Sequence, residues 1–383
     1  MGHIKQGYKQ TEVGIIPEDW EVKSLKEVAP LQRGFDLPNR DLQKGVFPVV
    51  YSNGILNYHD KFQAKAPGIV TGRSGTIGKV TFVEEDYWPH NTSLWVTDFK
   101  NNNPKFIYYL FLAIKLERFA TGSGVPILNR NDVHEFHIAL PTLPEQTVIA
   151  IALSETDALI SSLEKFIAKK RNIKQGAIQK LLRPKEDWEV KKLGEIAKVK
   201  SGKRLPLCKS LTENQTSHPY IRILDMFNSG ISIENIKYVP VDVFPFIKNY
   251  RIFKEDIYIS VAGTLGLVGR IPDVLDGANL TENANKITDI KCNINYLLFI
   301  LKSDLIQNKI DAERTLGAQP KLALTRIRNF EIPLPPPIEQ THIATILSDM
   351  DSEITSLQTK LAKYKNIKLG MMQNLLTGKI RLI

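Results

Sequence analysis

The chain opens one passage twice and closes it twice. Pro17-Glu18-Asp19-Trp20-Glu21-Val22-Lys23 is answered by Pro184-Lys185-Glu186-Asp187-Trp188-Glu189-Val190-Lys191. Phe136-His137-Ile138-Ala139-Leu140-Pro141 is answered by Phe330-Glu331-Ile332-Pro333-Leu334-Pro335, and each closing passage runs into Glu-Gln-Thr, at 145–147 and 339–341. The openings are offset by 168 residues and the closings by 194, so the second insert is 26 residues longer. An internal repeat constrains architecture before any local signal is read. Here a constant frame surrounds two dissimilar inserts, and a chain of 383 residues is long enough for each copy to bury its own core.

Segments 145–182 and 339–376 carry the strongest periodicity. Ile149, Leu153, Thr156, Ile160, Leu163, Ile167, Lys170, Lys174, Ala177 and Leu181 step by alternating four and three. Adding 194 gives Ile343, Leu347, Met350, Ile354, Leu357, Leu361, Tyr364, Lys368, Met371 and Leu375. This is heptad spacing, a narrow apolar seam broken by lysines on an otherwise charged helix. Such a helix cannot hold itself together alone, and the economical partner is the other copy; the alternative is that each helix lies on its own globular domain. Thr142-Leu143-Pro144-Glu145 has capping-box spacing with Pro in the first turn, and the second copy keeps a Pro but lacks the Thr. Pro184 and Gly378 are stop signals. Gly176 and Gly370 stand at equivalent helical places, which suggests a close approach or a kink, since Gly there costs about 1 kcal/mol relative to Ala. A helix of 38 residues is a rod of about 57 Å.

The inserts read as mixed domains. β-rich runs at 47–51, 80–83, 94–97, 220–223 and 257–261 are interrupted by turns at Ser52-Asn53-Gly54, Gly72 to Gly78 and Ser229-Gly230; helical stretches fall at 105–119 and 294–311. Gly75-Thr76-Ile77-Gly78 faces Gly263-Thr264-Leu265-Gly266, and Pro126 faces Pro320. The inserts therefore read as one fold with two surfaces.

The net charge of +10 favours a polyanionic partner, most often nucleic acid, over a merely basic soluble protein. Two cysteines, Cys208 and Cys292, exclude a disulfide scaffold and a four-cysteine zinc site and fit a reducing cytosol. No apolar run approaches the roughly 18 residues of a membrane span, and Met1 to Thr11 lacks a signal core. Gly72 to Val80 resembles a phosphate loop but has five residues between Gly72 and Gly78 where four are needed, and Val80 where Ser or Thr belongs. It reads instead as a turn whose amides could meet DNA phosphate, or as a plain turn with solvated cations. His134-Glu135-Phe136-His137 has its histidines three apart rather than the four of a zinc-protease helix, and reads as a solvated strand edge. Asp98-Phe99-Lys100 and Asp289-Ile290-Lys291 have the Asp-x-Lys spacing of some nucleases, which also need a second converging acid for magnesium.

Arg reads guanine, Asn and Gln read adenine, and Lys mostly holds phosphate. Candidate DNA contacts are therefore Arg33, Arg73, Lys79, Asn91 and Arg130 in the first insert, and Lys203, Arg204, Arg222, Arg270, Lys321 and Arg326 in the second. Candidate helix-pairing residues are Leu153, Ile160, Leu163, Ile167, Leu347, Ile354, Leu357 and Leu361.

The frame as a whole resembles the specificity subunits of type I restriction–modification systems. The resemblance rests on Gly14 to Val22, its repeat at 184–191, Leu140-Pro141-Thr142-Leu143-Pro144-Glu145-Gln146, Leu334-Pro335-Pro336-Pro337-Ile338-Glu339-Gln340, and the tail Leu375-Leu376-Thr377-Gly378-Lys379-Ile380-Arg381. It covers essentially the whole chain; Ile338, standing where the first copy has Pro144, is the one departure. The resemblance implies an α+β chain with two target recognition domains, at 1–144 and 184–338, and long helices at 145–183 and, together with a C-terminal tail, 339–383, the helices forming an antiparallel coiled coil with a pseudo-twofold repeat. It implies double-stranded DNA, two methyltransferase subunits and restriction subunits as partners, a cytoplasmic location, and AdoMet, ATP and magnesium held by the partner subunits. Two other readings stay open: a coiled-coil scaffold that reads no DNA, and a metal-dependent nuclease using the Asp98 and Asp289 regions.

Overall fold

The computed structural model describes residues 4–122, 126–228, 230–312 and 321–382. Ser229 and Pro320 lie outside the described residues. Two compact units emerge: Met1–Lys165 with Gln358–Ile383, and Phe166–Leu357.

In unit 1 the duplicated opening and closing passages pair with each other, strand Glu21–Ser24 running antiparallel to His137–Leu140. A four-stranded antiparallel sheet follows, in the order Leu31–Arg33, Ser93–Val96, Gly68–Gly72, Val80–Val83. A second sheet sets Phe47–Tyr51 between Gly54–His59 and, in parallel, Trp88–Pro89. Helix Pro104–Ile114 covers the first sheet with Phe106, Ile107, Leu110 and Phe111, and the early part of the first long helix and the end of the second enter the same core through Ile149, Leu153, Leu375 and the adjoining Leu376.

Unit 2 repeats this plan. Glu189–Lys192 pairs with Glu331–Leu334, and the main sheet runs Lys198–Ser201, Ala284–Thr288, Ile257–Ser260, Val268–Arg270 in the same order. Helix Ile294–Lys302 takes the place of Pro104–Ile114, and Ile343, Ala344 and Leu347 of the second long helix join the core. The sequence offset grows from 168 at Gly34/Gly202 to 188 at Gly75/Gly263, so 20 of the 26 extra residues enter there. Elements of this stretch without a counterpart in unit 1 include the strand pair Met226–Phe227 with Gly230–Ile231, helix Phe244–Ile247 and strand Arg251–Ile252, the last an added edge of a four-stranded second sheet.

The Glu-Gln-Thr motif is a joint between the frame and the covering helix, built alike in both units. Asn103 and Asn293 cap those helices through their side-chain oxygens. Their backbone N–H groups donate to Gln146 Oε1 and Gln340 Oε1, both at 2.9 Å, and their side-chain amides donate to Thr147 Oγ1 and Thr341 Oγ1 at 3.4 and 3.3 Å. Gln146 and Gln340 donate in turn to the carbonyls of Pro141 and Pro335.

The long helices span Leu143–Leu181 and Pro337–Leu375. Within unit 1 Thr156 meets Met371, Asp157 meets Lys368 and Glu164 meets Lys365. Within unit 2 Lys170 meets Glu353 and Lys174 meets Asp351. Rising numbers on one helix thus meet falling numbers on the other, and the helices run antiparallel in each unit. Leu153, Ile160, Leu163, Ile167, Leu347 and Ile354 are buried, while Leu357 and Leu361 are half-buried. The lysines that break the seam are paired. Lys174 and Lys368 each bridge an aspartate of the opposite helix and lie 5.5 Å from a ring of the covering helix, Phe299 and Tyr109 respectively.

Two expectations about the long helices fail. The capping box does not form, because Glu145 is fully buried and its carboxylate accepts from Trp20 Nε1 at 2.8 Å and from Arg381 Nη2 at 2.7 Å. Gly176 and Gly370 mark no close approach: a Cβ on either would meet nothing within 4 Å.

Candidate nucleic-acid interface

Strand ends and turns of unit 1 converge at one end of its main sheet. Gly34 sits so close to the carbonyls of Pro89 and His90 that a Cβ would collide with them, and Phe35 N–H donates to Pro89 O at 2.8 Å. Arg33 precedes that contact; its Nη2 lies 3.3 Å from Asp36 Oδ1, which also accepts from the Asn91 side chain. Arg73 follows the strand end at Gly72. Its N–H donates to Thr92 O at 2.9 Å and its carbonyl accepts from Leu128 N–H at 2.8 Å, two residues before Arg130. Lys79 donates to the carbonyl of Asn53 at the adjoining hairpin turn. All five candidates of the first insert therefore fall on one cluster of loops. The side chains of Arg73 and Arg130 have no ion-pair partner among the described residues.

The turn that holds Arg73 and Lys79 depends on glycine. Gly75 and Gly78 have φ of +79° and +87°, and Gly263 and Gly266 of unit 2 have +75° and +79°. This left-handed region admits few other residues. The turn leads into strand Val80–Val83 rather than into a helix, so the phosphate-loop geometry of an ATP site is absent.

Unit 2 builds the same end from other side chains. Gly202 presses on the carbonyls of Leu280 and Thr281, Lys203 N–H donates to Leu280 O at 2.8 Å, and Lys321 forms a bridge with Ala262 beside the Gly263 turn. Arg204 pairs with Glu282 at 2.7 Å. Arg222 stands next to this end, because Ile221 O accepts from Thr281 N–H. Its guanidinium is taken up by buried Asp225 at 2.6 Å and by the carbonyl of Asn235. Arg270 lies elsewhere, on the Val268–Arg270 strand, with Nη1 3.3 Å from Asn295 Oδ1 and Nη2 3.0 Å from Lys254 O. Arg326 is exposed on the short helix Leu324–Arg328.

Other motifs resolve into structural roles. His134 is no solvated strand edge: it ends helix Arg130–His134, and its Nε2 accepts from Leu31 N–H at 2.8 Å. Burial and the neighbouring cations Arg130 and Lys26 hold its pKa below the usual imidazole value, which keeps it a neutral acceptor. Asp98 and Asp289 are exposed, and each is bridged at 2.8 Å by a single lysine, Lys100 and Lys198, whose hydrogen bonds lower the carboxyl pKa. Among the described residues no group of three or more His, Cys, Asp or Glu gathers as metal ligands, so the nuclease alternative gains no support from geometry. No helix among the described residues is long and apolar enough to cross a membrane.

The family model for the type I restriction modification DNA specificity domain matches the chain twice, over residues 17–175 and 185–366. The MjaVIII type I restriction enzyme specificity subunit of Methanocaldococcus jannaschii is 27% identical, over 71% of this chain and 70% of its own. The putative MjaX specificity subunit of the same organism is also 27% identical, over 98% and 97%. Among solved structures, the type I restriction–modification S subunit from M. genitalium shares the fold with a TM-score of 0.63 at 20% identity, covering 93% of this chain and 96% of that one.

Proposed function

The chain belongs to the type I restriction–modification DNA specificity family, and on that premise we propose that each of its units reads one half of an interrupted, asymmetric DNA target. Recognition lies in 1–144 and 184–338, through the loop ends carrying Arg33, Arg73, Lys79, Asn91 and Arg130 in one unit and Lys203, Arg204 and Lys321 in the other. One observation carries this reading. The two loop ends share strand order, turn glycines and backbone contacts, yet present different side chains. A scaffold repeated with its exposed residues changed fits two sequences read by one docking mode, with arginine and asparagine at base edges and lysine at phosphates. Arg222 and Arg270 are engaged within the protein and contribute as supports for neighbouring contacts.

The long helices serve as spacer and docking surface for two methyltransferase subunits, with restriction subunits joining that core. Support comes from apolar side chains left exposed on the first long helix: Val148, Ile151 and Leu159 in unit 1, Phe166 and Ile173 in unit 2. AdoMet, ATP and magnesium then fall to the partner subunits; this chain supplies no catalytic group to the proposal. Methylome sequencing of cells carrying the whole operon is expected to show one bipartite motif with unlike halves and an unspecified gap. A continuous or palindromic motif would refute the reading. A scaffold with no DNA role predicts no salt-dependent binding of the purified chain to duplex DNA.

A further inference from the structure

A groove of about 440 Å³ opens in unit 1 between the Val80–Val83 strand, the Pro104–Ile114 helix and the first long helix. Lys79, Thr81, Phe82, Lys105, Tyr108 and Ser154 line it, together with Asp157. Its donors outnumber its acceptors. Lys105 Nζ stands 3.8 Å from the centre of the Phe82 ring and 3.4 Å from Glu84, a solvent-facing pair of little strength. Asp157 is already engaged: Lys368 bridges it at 2.6 Å and the Tyr109 hydroxyl lies 2.9 Å from its other oxygen. The hydroxyls of Thr81 and Tyr108 have no hydrogen-bond partner among the described residues. Lys79 joins this groove to the loop cluster that holds Arg73.

The internal repeat supplies a second observation. Phe82 and Arg270 occupy one register position, paired with Ile69 and Ile257. Lys105 and Asn295 occupy one helical position, each the second residue after its capping asparagine. Unit 1 therefore carries its cation on the helix and unit 2 carries it on the strand, where Asn295 holds Arg270. A positive charge persists at this place while the residue bearing it changes.

We propose that the groove of unit 1 seats a phosphodiester of the DNA backbone beside the half-site, with Lys79 and Lys105 as counter-charges and Thr81 and Tyr108 donating to its non-bridging oxygens. This rests on the DNA reading proposed above and extends it to a contact that carries no sequence information. The test is equilibrium binding of the full chain, alone and assembled with its partner subunits, to a cognate and a scrambled duplex over a salt series. Lys105→Gln is expected to flatten the slope of log affinity against log salt by about 0.9, equally for both duplexes. Lys105→Arg is expected to retain the slope, and Tyr108→Phe to weaken both duplexes without changing it. An unchanged slope in Lys105→Gln overturns the proposal. So does a loss confined to the cognate duplex, or lost assembly with DNA affinity intact, which would make the groove a protein-docking site. Absence of salt-dependent binding by the wild-type chain would instead bring down the DNA reading itself.

Discussion

Arg381 lies 236 residues from Glu145 in sequence, yet its guanidinium meets that buried carboxylate and Asp19 at once. Trp20 Nε1 completes the set, and Tyr8 ties its hydroxyl to Gly378 O at 2.9 Å, so the N-terminal hairpin and the C-terminal tail close on one another within unit 1. Among the described residues unit 2 has no such closure. Glu339, the counterpart of Glu145, turns to Lys185, and buried Trp188 Nε1 has no hydrogen-bond partner among the described residues. Removing one partner of a buried ion pair leaves the other charge uncompensated. Arg381→Ala is therefore expected to destabilise unit 1 by about 3 kcal/mol, read as a lowered denaturation midpoint, whereas Lys185→Ala at the exposed counterpart should leave the midpoint nearly unchanged. Equal effects would show that burial does not distinguish the two sites. None of this is legible in sequence: Thr142 and Glu145 have capping-box spacing, and only a distant residue diverts the carboxylate.

The long helices are the elements most fully legible from the chain, because a seven-residue period is a local property and needs no knowledge of the partner. The lysines at 174 and 368 looked like flaws in that seam; the structure makes them paired, each with an aspartate and an aromatic ring of a third element. Gly176 and Gly370 mark no close approach, since their space is open. Gly176→Ala and Gly370→Ala are each expected to stabilise the chain by roughly 0.5–1 kcal/mol in denaturant titrations, through lower backbone entropy in the unfolded state. A destabilising result would reveal a constraint on those turns beyond space. Strands at 47–51, 80–83 and 257–260 followed the β-rich runs, but the parallel pairing of Phe47–Tyr51 with Trp88–Pro89 did not. A short apolar run announces a strand; it does not name its neighbour.

For the whole molecule, the frame is a specificity subunit's and each long helix contributes to both units, up to Lys165 in one and from Phe166 in the other for the first helix. If those helices set the gap in the DNA target, inserting one heptad in each should lengthen the unspecified stretch in the methylome and leave both half-site sequences unchanged. Altered half-site sequences with an unaltered gap would defeat the spacer role. By itself the sequence determined that there are two copies of one frame, that long helices with an apolar seam join them, and that the inserts carry the differences. Repeats and periods are written along the chain, so they survive without coordinates. Only the tertiary structure decided which cations stand together. It gathered Arg33, Arg73, Lys79, Asn91 and Arg130 at one loop end, withdrew Arg222 to Asp225 and Arg270 to Asn295, and brought Lys105 to a groove beside Lys79. The physical reason is that a charge acts over a few ångströms of space, and folding sets those distances through backbone contacts between residues tens to hundreds of positions apart.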